Sequence, residues 1–162
     1  MSLILLETLI HASPETCFDL STSIDLHKLS TAGTGEEAIA GKTSGLIALG
    51  EFVTWRARHL GIRQNLTSHI TAFERPAHFR DEQLKGPFRS MVHDHYFIRQ
   101  GDNTLLTDRF EFESPLGTLG KWFNAAILTS YMRNFLLRRN EIIRQFAESG
   151  EWKKVLGESA SR

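Results

Sequence analysis

Cysteine is nearly absent from the sequence: Cys17 stands alone among 162 residues. A single thiol excludes a disulfide framework and a multi-cysteine zinc site. In a reducing cytoplasm, the expected location, Cys17 reads as a small buried hydrophobe. An excess of one charge is also missing, because 19 Lys and Arg balance 19 Asp and Glu. A dedicated nucleic-acid binder is usually basic, so no nucleic-acid partner is expected. No run approaches the roughly 18 apolar residues of a spanning helix. Leu3-Ile4-Leu5-Leu6 stops at Glu7 and has no basic flank, so neither a membrane span nor a targeting segment is expected. Phosphate-binding Gly-X-Gly and Ser-centred hydrolase motifs are absent. Tyrosine is scarce, with two residues beside 11 Phe and three Trp. Aromatic bulk is plentiful and mostly lacks a polar handle. With 41% hydrophobic and 23% charged residues, the chain is no disordered polymer. Its length suits one domain over residues 1–150, followed by a tail over 151–162.

The pattern along the chain predicts an α+β fold. Residues 3–12 read as a strand ending at Ser13-Pro14, where Ser13 is an N-cap and Pro14 a first helical residue. Two short helices follow, with Cys17, Phe18 and Leu20 apolar in the first and Ile24, Leu26 and Leu29 in the second. After a break at Thr31–Gly35 the period changes to that of strands. Residues 50–60 and 62–74 alternate around Leu60-Gly61. A strand at 78–85 comes next, and 88–99 and 104–114 flank Gly101-Asp102. Residues 118–149 read as one long helix, carrying Leu119, Phe123, Ala126, Ile127, Tyr131, Phe135, Ile142 and Phe146 at helical spacing. Gly150 suits its C-terminal end. The tail is expected to be loose apart from Trp152, Val155 and Leu156. Only the last helix is long enough to cover one face of the sheet, which places a space between helix and sheet.

Two-residue loops fix the register of both hairpins. Trp55 then falls opposite Leu66 and Val53 opposite Ser68. Val53, Trp55, Ala57, Leu66 and Ile70 share the inner face, while Arg56, Arg58 and Arg63 share the outer one. In the last hairpin His95 falls opposite Asp108 and His93 opposite Phe110. Met91, His93, His95, Phe97, Leu106, Asp108, Phe110 and Phe112 lie on one face. On the other, Asp94 opposes Arg109 as a surface ion pair of little energetic weight. If Phe79 points inward, Asp81 and Gln83 do as well.

Three polar groups, His93, His95 and Asp108, thus stand among Phe, Met and Leu. A buried His opposite a carboxylate forms a charge-assisted pair that fixes the imidazole tautomer. It could anchor the core, touch a ligand, or exchange protons. His-X-His with a carboxylate also satisfies a metal pattern, but any such strand does, and neither metal nor cofactor is assigned from it. The outer arginines and Arg138-Arg139 read as solvated, with a weak anionic partner as the alternative.

The residues then point to a family. Ala12-Ser13-Pro14-Glu15-Thr16-Cys17-Phe18 after the first strand resembles the opening of the START-like or Bet v 1-like superfamily. Thr54-Trp55-Arg56-Ala57-Arg58, Pro76-Ala77-His78-Phe79-Arg80-Asp81, Gly86-Pro87-Phe88, His93-Asp94-His95 and Asp108 before Ser114-Pro115-Leu116-Gly117 resemble a bacterial branch, labelled SRPBCC or polyketide cyclase/dehydrase-like. The resemblance spans about residues 3–148. It implies a helix-grip fold, in which about seven antiparallel strands curve around a long C-terminal helix and enclose a hydrophobic cavity. It carries over no catalytic residue, because the superfamily mixes carriers, cyclases and binding modules.

Three functions follow as alternatives. The first is binding of a small hydrophobic or aromatic molecule by Trp55, Asp81, Gln83, Met91, His93, His95, Asp108, Phe110, Phe123 and Ile127, in a monomer or homodimer. The second is a cyclase or dehydratase using His95 as acid–base and Asp108 as its orienter. The third is a protein-interaction module with a solid core.

Overall fold

The computed structural model describes residues 1–114 and 121–157, the side chains of 121–125 excepted. The expected helical residues 118–120 therefore lie outside the described residues. Strand β1 (Ser2–Ile10) leads into helices α1 (Pro14–Thr22) and α2 (Ile24–Ser30). Strands β2 (Glu37–Gly41), β3 (Phe52–His59), β4 (Ile62–Glu74), β5 (His78–Lys85), β6 (Ser90–Gln100) and β7 (Asn103–Glu113) follow, then helices α3 (Lys121–Ser149) and α4 (Trp152–Leu156). The seven strands form one antiparallel sheet in the order β1-β7-β6-β5-β4-β3-β2.

Local chemistry sets the boundaries. Ser13 Oγ accepts from the Thr16 amide at 3.2 Å and caps α1, with Pro14 at its first position. Ser23 ends α1 and caps α2, accepting from the Leu26 amide. Leu60 and Gly61 both take positive φ, 50° and 81°, as a two-residue turn matching the strand twist requires. That turn sets Trp55 against Leu66 and Val53 against Ser68. Gly101 takes φ 62° in the turn that sets His95 against Asp108 and His93 against Phe110. Irregularities at Thr67/Ser68 and Ile70/Ala72 bend the sheet between β4 and β5.

The outer face differs from expectation at Asp94. It does lie opposite Arg109, but its carboxylate is fully buried rather than solvated. Arg80 donates to both its oxygens at 2.7 and 3.0 Å, and His78 Nε2 lies 2.7 Å from Oδ1. The His78 ring stacks on Tyr96 and helps cover the group. Burial pushes the Asp94 carboxyl up, and the Arg80 and His78 hydrogen bonds outweigh it, holding it below its ordinary range.

The inner face holds two apolar clusters. One joins Ile10, Cys17, Phe18, Leu20, Phe79, Phe97, Leu106, Ile143 and Ala147. The other joins Ile4, Leu6, Met91, Phe110, Phe112, Met132 and Leu136. Helix α3 buries Met132, Leu136, Arg139, Asn140, Ile143 and Ala147. Its buried stripe is therefore rotated from the aromatic one expected, and Ile127 is 45% exposed. Arg139, expected to be solvated, is buried. The rotation has a polar cause, because Asp108 of the sheet receives Asn140 and faces Arg139. Helix α4 lies in the expected tail, where Trp152, Val155 and Leu156 pack against the first cluster. Cys17 is buried, and burial pushes its thiol up to about 11.

Phe18 meets Phe73, Phe79 and Phe97 edge-on, with ring centroids 5.1–5.5 Å apart, and is fully buried. Phe18→Ala is expected to destabilise the fold by about 3–5 kcal/mol. Urea unfolding measures this as a lower midpoint, and a loss below about 1 kcal/mol would contradict the packing described.

Candidate functional site

A polar layer divides the two apolar clusters. Along each element the sequence steps from one cluster through a polar residue to the other. Strand β1 runs Leu6, Thr8, Ile10, and β7 runs Phe110, Asp108, Leu106. Strand β6 runs Met91, His93, His95, Phe97, and α3 runs Leu136, Arg139-Asn140, Ile143. Asp108 is at the centre and has no exposed surface. His93 Nε2 donates to its Oδ1 at 2.9 Å. His95 Nδ1 lies 2.9 Å from the same oxygen but out of line for a hydrogen bond. Asn140 Nδ2 donates to Oδ2, and Arg139 Nη1 lies 3.6 Å from Oδ1. Asn140 also links to Thr8 Oγ1 and to Arg139.

Charge follows from these contacts. Burial pushes the Asp108 carboxyl up, but the His93 hydrogen bond and the adjacent His95 ring outweigh it, holding Asp108 well below the carboxylate range. Burial and the neighbouring His95 ring push the His93 imidazole down, against the pull of Asp108. His93 is therefore neutral at pH 7, its Nε2–H held by Asp108. On the opposite side of the rings, Asp81 Oδ2 lies 3.1 Å from His95 Nε2 and 3.9 Å from His93 Nδ1. Burial raises the Asp81 carboxyl, and the His95 hydrogen bond and His93 more than offset that, leaving it below its ordinary value.

Asp81, His93 and His95 line a cavity of ≈ 120 Å³ under α3, with Ser21, Trp55, Met91, Phe110 and Arg139 also on its walls. The Ser21 hydroxyl is buried with no hydrogen-bond partner among the described residues. A second cavity of ≈ 370 Å³ shares Glu36, Trp55, Leu66, Phe88, Met132 and Phe135 with the first. It reaches the exposed Leu60, Ile62 and Ile127 at the hairpin tip and the helix. The space is thus an inner chamber with a polar end, adjoined by a mostly apolar outer one.

The structure sorts the expected site residues. Trp55 lines both chambers; Asp81, Met91, His93, His95 and Phe110 line the inner one, and Ile127 the outer one. Asp108, expected to touch a ligand, is not on the cavity wall, because the two imidazoles cover it. Its place as partner to His95 on the cavity side is taken by Asp81. Gln83, also expected as a contact, instead ties down the β5–β6 turn. Its Nε2 donates to the Phe88 carbonyl at 2.8 Å and its Oε1 accepts the Phe88 amide. The Phe123 side chain lies outside the described residues.

A second polar group escaped sequence reasoning. Glu36, immediately before β2, lies 2.6 Å from His27 Nε2 of α2 and 3.3 Å from His59 Nε2 at the end of β3. His59 Nδ1 in turn lies 2.8 Å from the Tyr131 hydroxyl of α3. His27 packs on Trp55, with centroids 4.2 Å apart. Burial pushes the Glu36 carboxyl up, but His27 and His59 outweigh it and bring it down to about 2. Glu36 precedes β2, while His27, His59 and Tyr131 come from three separate elements, and the four share no sequence pattern. Only the polar Glu36 within a stretch about to become an edge strand hinted at them.

No protein-family model matches the chain, and no curated protein matches it in sequence. Solved structures do match in shape. A protein of Thermus thermophilus superposes with TM-score 0.70 at 16% identity, over 88% of this chain and 97% of that one. The chain has the Bet v 1-like helix-grip fold. An aromatase/cyclase from a Streptomyces species gives TM-score 0.70 at 12% identity, covering 94% of each chain. The major latex-like protein 151 of Panax ginseng gives 0.65 at 18% identity, over 90% of this chain and 97% of that one. The helix-grip architecture accounts for the order of elements and for the space under α3. No helix among the described residues is long and apolar enough to cross a membrane.

Glu36 gives a pH test with a defined sign. Its carboxyl is lowered in the folded state, so the unfolded chain binds its proton first as pH falls. The stability it contributes is complete above about pH 4.5 and is lost toward about pH 2. Urea unfolding from pH 6 to pH 2 is expected to show a shallower acid loss for Glu36→Gln than for the wild type. Parallel acid limbs would contradict the His27–Glu36–His59 contacts.

Proposed function

We propose that the chain binds a small, mostly apolar molecule, aromatic or aliphatic, that carries one polar end. The carrying observation is the adjacency of two chambers of unlike character, which share six wall residues. The outer one, at ≈ 370 Å³, falls within the roughly 300–1,000 Å³ usual for small-molecule sites. The polar end would meet Asp81, His93 and His95, and the unpartnered Ser21 hydroxyl would gain the hydrogen bond it lacks. The apolar body would lie along Trp55, Leu66, Phe88, Met132 and Phe135 into the outer chamber. The similarity in fold to an aromatase/cyclase and to a major latex-like protein is compatible with an occupied space under the helix and names no ligand for this chain.

One observation favours a second reading, catalysis by proton transfer. His95 faces the cavity between two carboxylates, Asp81 at 3.1 Å and Asp108 at 2.9 Å. An imidazole so placed can pass a proton to an occupant, with Asp81 hydrogen-bonded to one ring nitrogen and Asp108 close to the other. His95→Gln is then expected to abolish turnover of a bound substrate and to leave its affinity within about three-fold. Equal loss of both would mark His95 as a binding group alone.

Two measurements test binding. Native mass spectrometry of protein from its own host is expected to show a retained small molecule. Titration with the fluorescent probe anilinonaphthalene sulfonate is expected to saturate at one probe per chain and to weaken about ten-fold or more in Leu128→Trp, which fills the outer chamber. No retained molecule together with no saturable probe binding would overturn the reading in favour of a closed core.

A further inference from the structure

We propose that Asp81, His93 and His95 form a binding site for one divalent transition-metal ion, with Zn²⁺ as the representative ion. Residues 93 and 95 alternate on β6, so both side chains leave the same face. Asp81 pairs with His93 across the β5–β6 ladder, which brings a carboxylate to the same point. Asp81 Oδ2 is 3.1 Å from His95 Nε2 and 3.9 Å from His93 Nδ1, and the three ligand atoms lie within 4.8 Å of one another. Ligands about 2.0–2.1 Å from a tetrahedral ion lie roughly 3.4 Å apart. The spacing therefore fits an ion with little adjustment.

The groups behind the rings strengthen the assignment. Histidine ligands characteristically hold their second ring nitrogen against a carboxylate or carbonyl, which fixes the tautomer and the ring plane. Here Asp108 Oδ1 accepts from His93 Nε2 at 2.9 Å and so holds that ring, and it lies 2.9 Å from His95 Nδ1, close to the second ring but out of line for a hydrogen bond. That leaves His93 Nδ1 and His95 Nε2 directed toward Asp81. Asp108 is in turn held by Asn140 and Arg139. Asp108 and Asn140 lie behind the rings, off the chamber wall, whereas the three ligands line the chamber. A fourth coordination position is thereby open to the space under α3, the arrangement of catalytic rather than structural sites.

A purely structural hydrogen-bond cluster explains less. With its Nε2–H committed to Asp108, His93 presents a lone pair at Nδ1 to the Asp81 carboxylate. The two acceptors converge, and 3.9 Å is too long for a hydrogen bond between them. The proton between His95 Nε2 and Asp81 Oδ2 satisfies one of these contacts and leaves His93 Nδ1 without a donor. A cation replacing that proton satisfies all three. Two imidazoles and one carboxylate are a ligand set for Zn²⁺ or Fe²⁺ rather than Mg²⁺ or Ca²⁺. The inference stands on ligand geometry and does not rest on an organic occupant of the cavity.

The test uses the full chain, stripped of metal with a chelator. Calorimetric titration with Zn²⁺ is expected to give one ion per chain. Co²⁺ is expected to give the strong visible absorption of a four-coordinate site. In ¹⁵N-labelled wild type, Zn²⁺ is expected to shift His93 Nδ1 and His95 Nε2, and not the rings of His11, His27, His59, His69 or His78. Asp81→Asn is expected to weaken Zn²⁺ about ten-fold or more, and Asp108→Asn about 10- to 100-fold, with the circular dichroism spectrum retained. The proposal is overturned by no saturable uptake in the wild type, or by uptake that leaves the His93 and His95 nitrogens unmoved. Unchanged affinity in a folded Asp81→Asn protein would overturn it equally. If the variants do not fold, the wild-type ring shifts decide alone.

Discussion

The interior of this protein is arranged around one buried carboxylate. Asp108 has no water to solvate it, and an isolated charge there would cost several kcal/mol. Four polar groups are turned toward it: two imidazoles from the neighbouring strand, an amide and a guanidinium from the long helix. These partners constrain the chain from three directions. They fix the β6–β7 register, they set the rotation of α3, and they make the core two apolar clusters rather than one. A helix rotated by one residue would leave Asn140 and Arg139 away from Asp108, and the carboxylate uncompensated. Hydrophobic packing alone would tolerate more than one rotation; the polar layer selects among them.

Strand registers were legible in the sequence because two-residue turns and period-two alternation give independent answers that must agree. Trp55 against Leu66 and His95 against Asp108 are pairings of this kind. The helix face was not legible in the same way. Reading apolar spacing selected Ile127, Tyr131 and Phe135, because a pattern method discards Arg139 and Asn140 as surface residues. Their burial depends on a charge supplied by a strand about 30 residues earlier, which alternation places on a face but does not connect to a helix. The same limit hid Asp94, whose burial depends on Arg80 and His78 reaching over from β5. It also hid the Glu36 group, whose members share proximity and nothing else.

The chain shares its architecture with structures at 10–19% identity. That divergence is intelligible physically. A curved meander and a covering helix need only alternation, turns and adequate volume, which many sequences satisfy. Chemistry, by contrast, is carried by the few side chains set into the wall. In this chain those are two histidines and one aspartate at one end of the space, backed by the buried Asp108, with a separate histidine–glutamate group near the other.

The two ends of the grip are held by very different means. At the base, the Asp108 layer is interlocked: no member leaves without stranding a buried charge or donor. At the rim, the hairpin tip and the helix are joined by His59 and Tyr131, a hydrogen bond between part-buried side chains worth about 1 kcal/mol net. Mechanically the molecule resembles a clothes-peg with a stiff spring and a light catch. Loosening is cheapest where the outer chamber meets solvent, and the rigidity that keeps Asp81, His93 and His95 in place need not be surrendered when the jaws part.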